Sequence, residues 1–179
     1  MLLIKQIMDN IIDDSYFWGE RYIPKLANTS SQVLGQAALS MKNDLDMYIA
    51  KYQKYYFEAM FGTNTPAAAL IDLIRDEDTK TSPLADIVYY FYQRDKASAT
   101  MPSGEKAIAL QNSIIATAAQ KAEKAWNDAV RFNRALHEKW YSDGTITVEG
   151  GNDIDYINTI YNEIDFTHDI FCYINYWNA

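Results

Sequence analysis

His168 and Cys172 stand four residues apart, a spacing that on a helix would present two metal-ligating atoms on one face. A structural zinc site takes four such ligands. Cys172 is the one cysteine of the chain and His137 the one further histidine, so the pair reads as a partly buried cysteine beside a histidine. Asp76-Glu77-Asp78 has the acidic density of a calcium loop, but Lys80 falls where a fifth-position ligand is needed and the loop glycine is missing. An exposed acidic loop is expected there. Pro102-Ser103-Gly104-Glu105-Lys106 has the residues of a phosphate loop without its spacing or its preceding strand, and a turn with an N-cap accounts for it. One cysteine and two histidines form no nucleophile-and-base motif, and no G-x-S-x-G is present. The carboxylate pairs Asp13/Asp14 and Asp153/Asp155 are adjacent or next-but-one, separations at which helical side chains do not converge. Arg94-Asp95 reads as a structural ion pair inside a bundle, with Arg131 and Arg134 as alternative partners. The expectation is a protein that is not an enzyme and holds no cofactor or metal.

The elements around these residues point to helices. Thr81 to Thr100 is the organising stretch, with Ser82 as N-cap and Pro83 at the first helical position. Leu84, Ile87, Val88, Phe91 and Tyr92 then recur on one broad helical face. Tyr89, Tyr90 and Gln93 lie toward the other sides, so this helix is expected in the middle of a bundle. From about Gln32 to Phe61 a second helix carries Leu45, Tyr48, Ile49, Tyr52, Tyr56, Ala59 and Met60 as its stripe. A break is expected near Gly35 or Ser40, and Gly62 ends the helix. Thr65-Pro66 opens a short helix through Ile74. A helical pattern from about Glu105 to Tyr141, with a break near Gln111-Asn112-Ser113, carries Ile115, Ala119, Ala122, Trp126, Ala129, Phe132 or Asn133, Leu136 and Trp140. Its alanines permit close approach of a neighbouring helix, and Asp143-Gly144 ends it. Thr145-Ile146-Thr147-Val148 alternates at period two, and Gly150-Gly151 offers a turn for a small hairpin near 145-150.

Composition narrows the function classes. The 179 residues are 49% hydrophobic, enough for a real core in one domain and against wholesale disorder. Seven glycines and four prolines leave little room for a many-turned sandwich or barrel. A net charge of −8 with no dense Lys/Arg run disfavours direct nucleic-acid binding, which needs a basic face. An acidic wall around a channel through which DNA slides remains compatible, because like charge prevents sticking. No apolar run approaches the ~20 residues of a membrane span. The opening M-L-L-I-K-Q-I-M-D-N-I-I-D-D is interrupted by charge and is not read as a signal peptide. A single cysteine excludes an intramolecular disulfide and fits cytoplasmic synthesis. Fourteen tyrosines, four tryptophans and seven phenylalanines suit either a Tyr-rich core or a protein–protein interface.

The resulting expectation is an all-α helical bundle with one long helix in its C-terminal half. Residues 1-30 form an N-terminal arm, a short helix on Ile4, Ile7, Met8 and Ile11 followed by the aromatic Tyr16-Phe17-Trp18. Residues 31-144 form the bundle, with Ile49, Tyr52, Tyr56, Leu84, Ile87, Val88, Phe91, Trp126 and Leu136 in its core. Residues 145-179 form a hairpin and an aromatic tail too apolar to lie in solvent. Within it, Phe166, Phe171, Tyr173, Ile174, Tyr176 and Trp177 are the candidate partner-binding residues, acting as an aromatic anchor set or closing the subunit's own core.

Three segments carry a family resemblance: Y-I-A-K-Y-Q-K-Y-Y-F-E-A-M-F-G at 48-62, S-P-L-A-D-I-V-Y-Y-F-Y-Q-R-D-K-A-S-A-T at 82-100, and K-A-W-N-D-A-V-R-F-N at 124-133. Together they resemble the head–tail connector, or adaptor, proteins of tailed bacteriophages and prophages over about residues 45-140. The middle segment is the most specific. The resemblance implies an all-α virion subunit that assembles as a homo-oligomeric ring, commonly twelvefold, beneath the portal protein at the head vertex. Such a ring links the portal to neck or tail proteins and surrounds packaged DNA without reading its sequence, with no membrane involved. The competing expectation is a stand-alone soluble helical module with a binding or regulatory role.

Overall fold

The computed structural model describes residues 9–23, 36–96, 98–101, 104–107, 112–147, 153–155 and 165–174. The fold is mostly helical. Helix α1 spans Gln36–Phe61, α2 Ala68–Ile74, α3 Pro83–Lys96 and α4 Asn112–Asp143. Helix α1 runs unbroken through Ser40. It ends at Gly62, whose φ of 71° suits a residue without Cβ and whose N–H donates to the Glu58 carbonyl at 3.0 Å. Gly144 ends α4 in the same way, with a φ of 74° and a 3.0 Å bond from its N–H to the Trp140 carbonyl.

Two helix boundaries differ from the sequence expectation. Helix α2 starts at Ala68, with Ala67 as a cap that makes no side-chain bond. Thr65 lies before the helix in a local turn, its N–H donating to Thr63 Oγ1 at 3.2 Å. Helix α3 begins as expected, its Leu84 N–H donating to Ser82 Oγ at 3.2 Å, and it ends at Lys96, in the polar Arg94-Asp95-Lys96, so residues 98–100 of the Thr81 to Thr100 stretch are not helical. Ser98–Met101 instead forms strand β1, antiparallel to β2 at Gly104–Ala107, with Met101 opposite Gly104. Pro102 follows directly and disfavours helical backbone at Met101, which gives a physical reason for the extended path. The same pairing removes residues 105–107 from the long helix. Even so, α4 is about 48 Å long at its 32 residues. Beyond it, β3 at Thr145–Thr147 pairs antiparallel with β4 at Asp153–Asp155.

The core lies where α1, α3 and α4 meet. Tyr52 of α1 stacks flat on Phe91 of α3, with ring centroids 4.0 Å apart. Phe91 in turn meets Trp126 of α4 edge-on at 5.7 Å, and Tyr90 lies 4.8 Å from the same indole. Tyr48 and Tyr92 make a T-shaped pair at 5.3 Å beside this seam. Contacts of these geometries add roughly 0.5–1.5 kcal/mol each beyond the burial of the rings. Ile49, Tyr56, Leu84, Ile87 and Val88 are buried around them, and Leu136 is partly buried. Of the alternatives Phe132 and Asn133, Asn133 is the buried residue and Phe132 is exposed.

The arm packs on the same core through Ile12, Tyr16, Phe17 and Ile23, in two short 3-10 turns at Asp14–Tyr16 and Gly19–Arg21. Buried Gln53 of α1 holds it at both ends of one amide, accepting from the Ile11 N–H at 2.8 Å and donating to the Asp9 carbonyl at 3.1 Å. Trp18 stays exposed, though its indole N–H reaches the Lys80 carbonyl at 3.1 Å. The short helix expected on Ile4, Ile7, Met8 and Ile11 does not reach Ile11, since residues 9–13 are not helical, and its earlier part and the Asn28 to Ser31 hinge lie outside the described residues.

Phe91→Ala is expected to lower unfolding free energy by about 3–5 kcal/mol, since it removes the ring shared by all three helices. Met47→Ala on the exposed face of α1 should stay within about 0.5 kcal/mol. Urea denaturation of both variants checks the contrast.

Candidate functional site

The long helix carries a polar row on the face that meets the tail. Trp126-Asn127 and Asn133-Arg134 are two adjacent pairs seven residues apart, so they project two turns apart from one side of α4. Across this face lies the segment 165–174, which has little local structure of its own. Asp165 closes an opening turn by accepting from the Thr167 N–H at 2.9 Å, and a 3-10 turn follows at Asp169–Phe171.

Nearly every polar bond between helix and tail goes to tail main chain. Asn133 donates to the Ile170 carbonyl at 2.9 Å, and Arg134 Nε donates to the Phe171 carbonyl at 2.5 Å. The Trp126 indole N–H donates to the Cys172 carbonyl at 2.9 Å. Asn127 forms a two-pronged bond to Ile174, donating to its carbonyl and accepting from its N–H, both at 3.0 Å. Ile170 and Phe171 supply the apolar anchor and are fully buried. Tyr173 remains half exposed, with the Arg134 guanidinium 5.5 Å over its ring.

The six expected partner-binding residues therefore fall into three groups. Phe171 closes this subunit's own core, packing 5.5 Å from His137 and 5.1 Å from Phe166, and so is not a free anchor. Phe166 and Tyr173 are exposed, and Ile174 is partly covered. Tyr176 and Trp177 lie outside the described residues. The sequence reading assigned no role to Asn127 or to Gln53, and it cast Arg134 as an ion-pair candidate. The available signal was the repetition of a Trp-Asn and an Asn-Arg pair seven residues apart on a helix otherwise lined by alanines.

The metal and ion-pair candidates are placed as follows. His168 and Cys172 sit on a 3-10 turn and its flanks, where i, i+4 residues do not share a face. His168 Nδ1 faces the Ile170 N–H at 3.4 Å, and Cys172 Sγ faces the Thr167 carbonyl at 3.4 Å. His137 is buried, with Nε2 2.9 Å from the Met60 carbonyl. A carbonyl only accepts, so Nε2 carries the proton, and burial pushes the imidazole pKa down and keeps the ring neutral. Among the described residues no three His, Cys, Asp or Glu side chains are placed to hold a metal ion. The Asp76 carboxylate is used internally, accepting from the Asp78 and Thr79 N–H groups at 2.9 Å, which holds its pKa low. Arg94 does pair with Asp95 at 3.0 Å, while Arg131 pairs with Asp128 and Arg134 turns to the tail. Tyr48 also donates to Asp95 at 3.1 Å. Desolvation first, and that bond second, push the phenol up to about 12.

Among the described residues one ion pair is largely covered. Arg21 of the arm meets Asp86 of α3 at 3.0 Å, with both side chains largely covered. Desolvation raises the Asp86 pKa to about 6 against the opposing pull of Arg21, with Asp128 raising it and Lys124 lowering it further out. A folded pKa above the unfolded 3.8 means that the group's contribution is fully present below about pH 4 and is lost as pH rises through 6. Two 330 Å³ clefts flank the pair, one toward Phe132 and Arg75 and one toward Trp18 and Lys121.

Two outcomes are expected. Phe171→Ala should cost about 3–5 kcal/mol, and Tyr173→Ala less than about 1 kcal/mol, as read by urea denaturation. Asp86→Asn should shift stability relative to the parent in its own favour by roughly 2–3 kcal/mol between pH 4 and pH 7, as read by parallel denaturation series. A difference that stays flat across that window would contradict the burial cost assigned to Asp86. In comparisons with known proteins, no family model, no curated protein and no solved structure matches this chain.

Proposed function

We propose that this chain is a structural head–tail connector subunit that binds beneath a phage portal and forms a ring around the DNA channel. The observation that carries the reading is how the resembling segments lie together. Residues 48-62, 82-100 and 124-133 belong mainly to α1, α3 and α4, and they supply the Tyr52–Phe91–Trp126 seam. Segments distant in sequence that share one core act as one unit, which supports reading the resemblance as one of fold. An acidic chain of net charge −8 suits a wall past which DNA moves without sticking. The exposed Trp18, Tyr22, Phe132, Tyr141, Phe166 and Tyr173 give the subunit aromatic surface for neighbours. On this reading the hairpin near 145-150 and the aromatic terminal segments are the parts that meet the portal, the next neck protein or an adjacent copy.

The test mixes the purified chain with the portal protein of the same genome and images the product by negative-stain electron microscopy. Extra ring density at one end of the portal is the expected result. Bare portals, with portal rings intact, would overturn the portal-binding role and return the chain to the class of stand-alone helical modules.

A further inference from the structure

We infer that the α4 face built from Trp126, Asn127, Asn133 and Arg134 is a site for an extended peptide, and that in the assembled ring its occupant is segment 165–174 of the neighbouring copy. The inference rests on the ring reading above. Its physical basis is the kind of contact made, since the face grips the tail by main-chain groups at Ile170, Phe171, Cys172 and Ile174. The paired bond of Asn127 to the N–H and carbonyl of a single residue is the pattern by which an amide side chain holds an extended chain. Such contacts fix the path and register of a segment and are indifferent to which molecule it comes from.

Several features make exchange inexpensive. Within the described residues the segment carries one 3-10 turn, so it takes its form from the face it lies on. Two buried side chains, Ile170 and Phe171, anchor it, while Asp165, Phe166, Thr167 and Tyr173 stay exposed. Its packing is on α4 and α1, with no sheet pairing to undo. Between Asp155 and Asp165 the chain has a reach of up to roughly 35 Å, which sets the widest gap an exchange can span. Swapping an element whose contacts are identical within and between copies is a low-cost route to association, and a repeated head-to-tail exchange closes a ring.

The test places p-benzoylphenylalanine at half-exposed Tyr173 in the unlabelled full chain and mixes it with an equal amount of uniformly 15N-labelled parent. The mixture is bound to the portal and irradiated, and the tail-to-α4 cross-link is read by mass spectrometry. Exchange predicts that about half of the cross-linked α4 peptides are heavy, as random neighbours would give. The dilute free chain, irradiated in parallel, should give light α4 peptides alone. Rings that form on the portal but yield only light α4 peptides would overturn the exchange and leave the connector reading standing. If no ring forms on intact portals, both fall together.

Discussion

Asn133 is the point on which the assembly of this fold depends. Its amide is completely buried, and an amide without partners there would cost several kcal/mol. It accepts from the Tyr56 hydroxyl at 2.7 Å and donates to the Ile170 carbonyl at 2.9 Å. Three pieces of chain, α1, α4 and the tail, must therefore be in place together before this one side chain is satisfied. Tyr56 is in the same position, since burial pushes its phenol pKa well up and keeps the donor neutral. His137, one turn further along α4, repeats the arrangement with the Met60 carbonyl near the end of α1. Apolar packing gives this bundle its stability, and these few polar bonds give it one register.

The aromatic seam and the arm add to that frame without changing it. Tyr52, Phe91 and Trp126 meet in one stacked and one edge-on contact, so the three helices share a common wall. The arm is held by Gln53 on one side and by the Arg21–Asp86 pair on the other. A largely covered ion pair of this kind sets position more than it adds stability, because the desolvation of two charges offsets most of their attraction. The surface pairs, such as Lys54 with Glu58, contribute less again.

The helical body was legible from sequence because its signals are local. Ser82-Pro83 marks the start of α3, Gly62 and Gly144 mark helix ends, and the stripes on α1 and α3 repeat with helical period. The misplaced boundaries have local causes as well. Pro102 redirects Met101 into a strand, and α2 begins beyond the local turn that Thr63 and Thr65 close, with Ala67 in the cap position. The tail face was harder to foresee. Asparagine and arginine on a helix are ordinarily solvated, and nothing in their spacing says that a distant segment will bring carbonyls to them. Gln53 escaped notice for the same reason, being a polar residue buried by a partner 42 positions away. Phe171 was recognisable as an anchor, but whose core it fills depends on packing that sequence does not display.

Main-chain gripping has a consequence for how this tail can vary over generations. Side chains at positions 172 and 173 contribute little to the hold, since their backbone carbonyl or neighbouring carbonyls do the bonding and Tyr173 faces solvent. Positions 170 and 171 are bound by shape, and Asn127 and Asn133 by geometry. Drift is thus free on the outward surface of the segment and forbidden beneath it. Substitutions can accumulate on that outer surface while the seat below stays fixed.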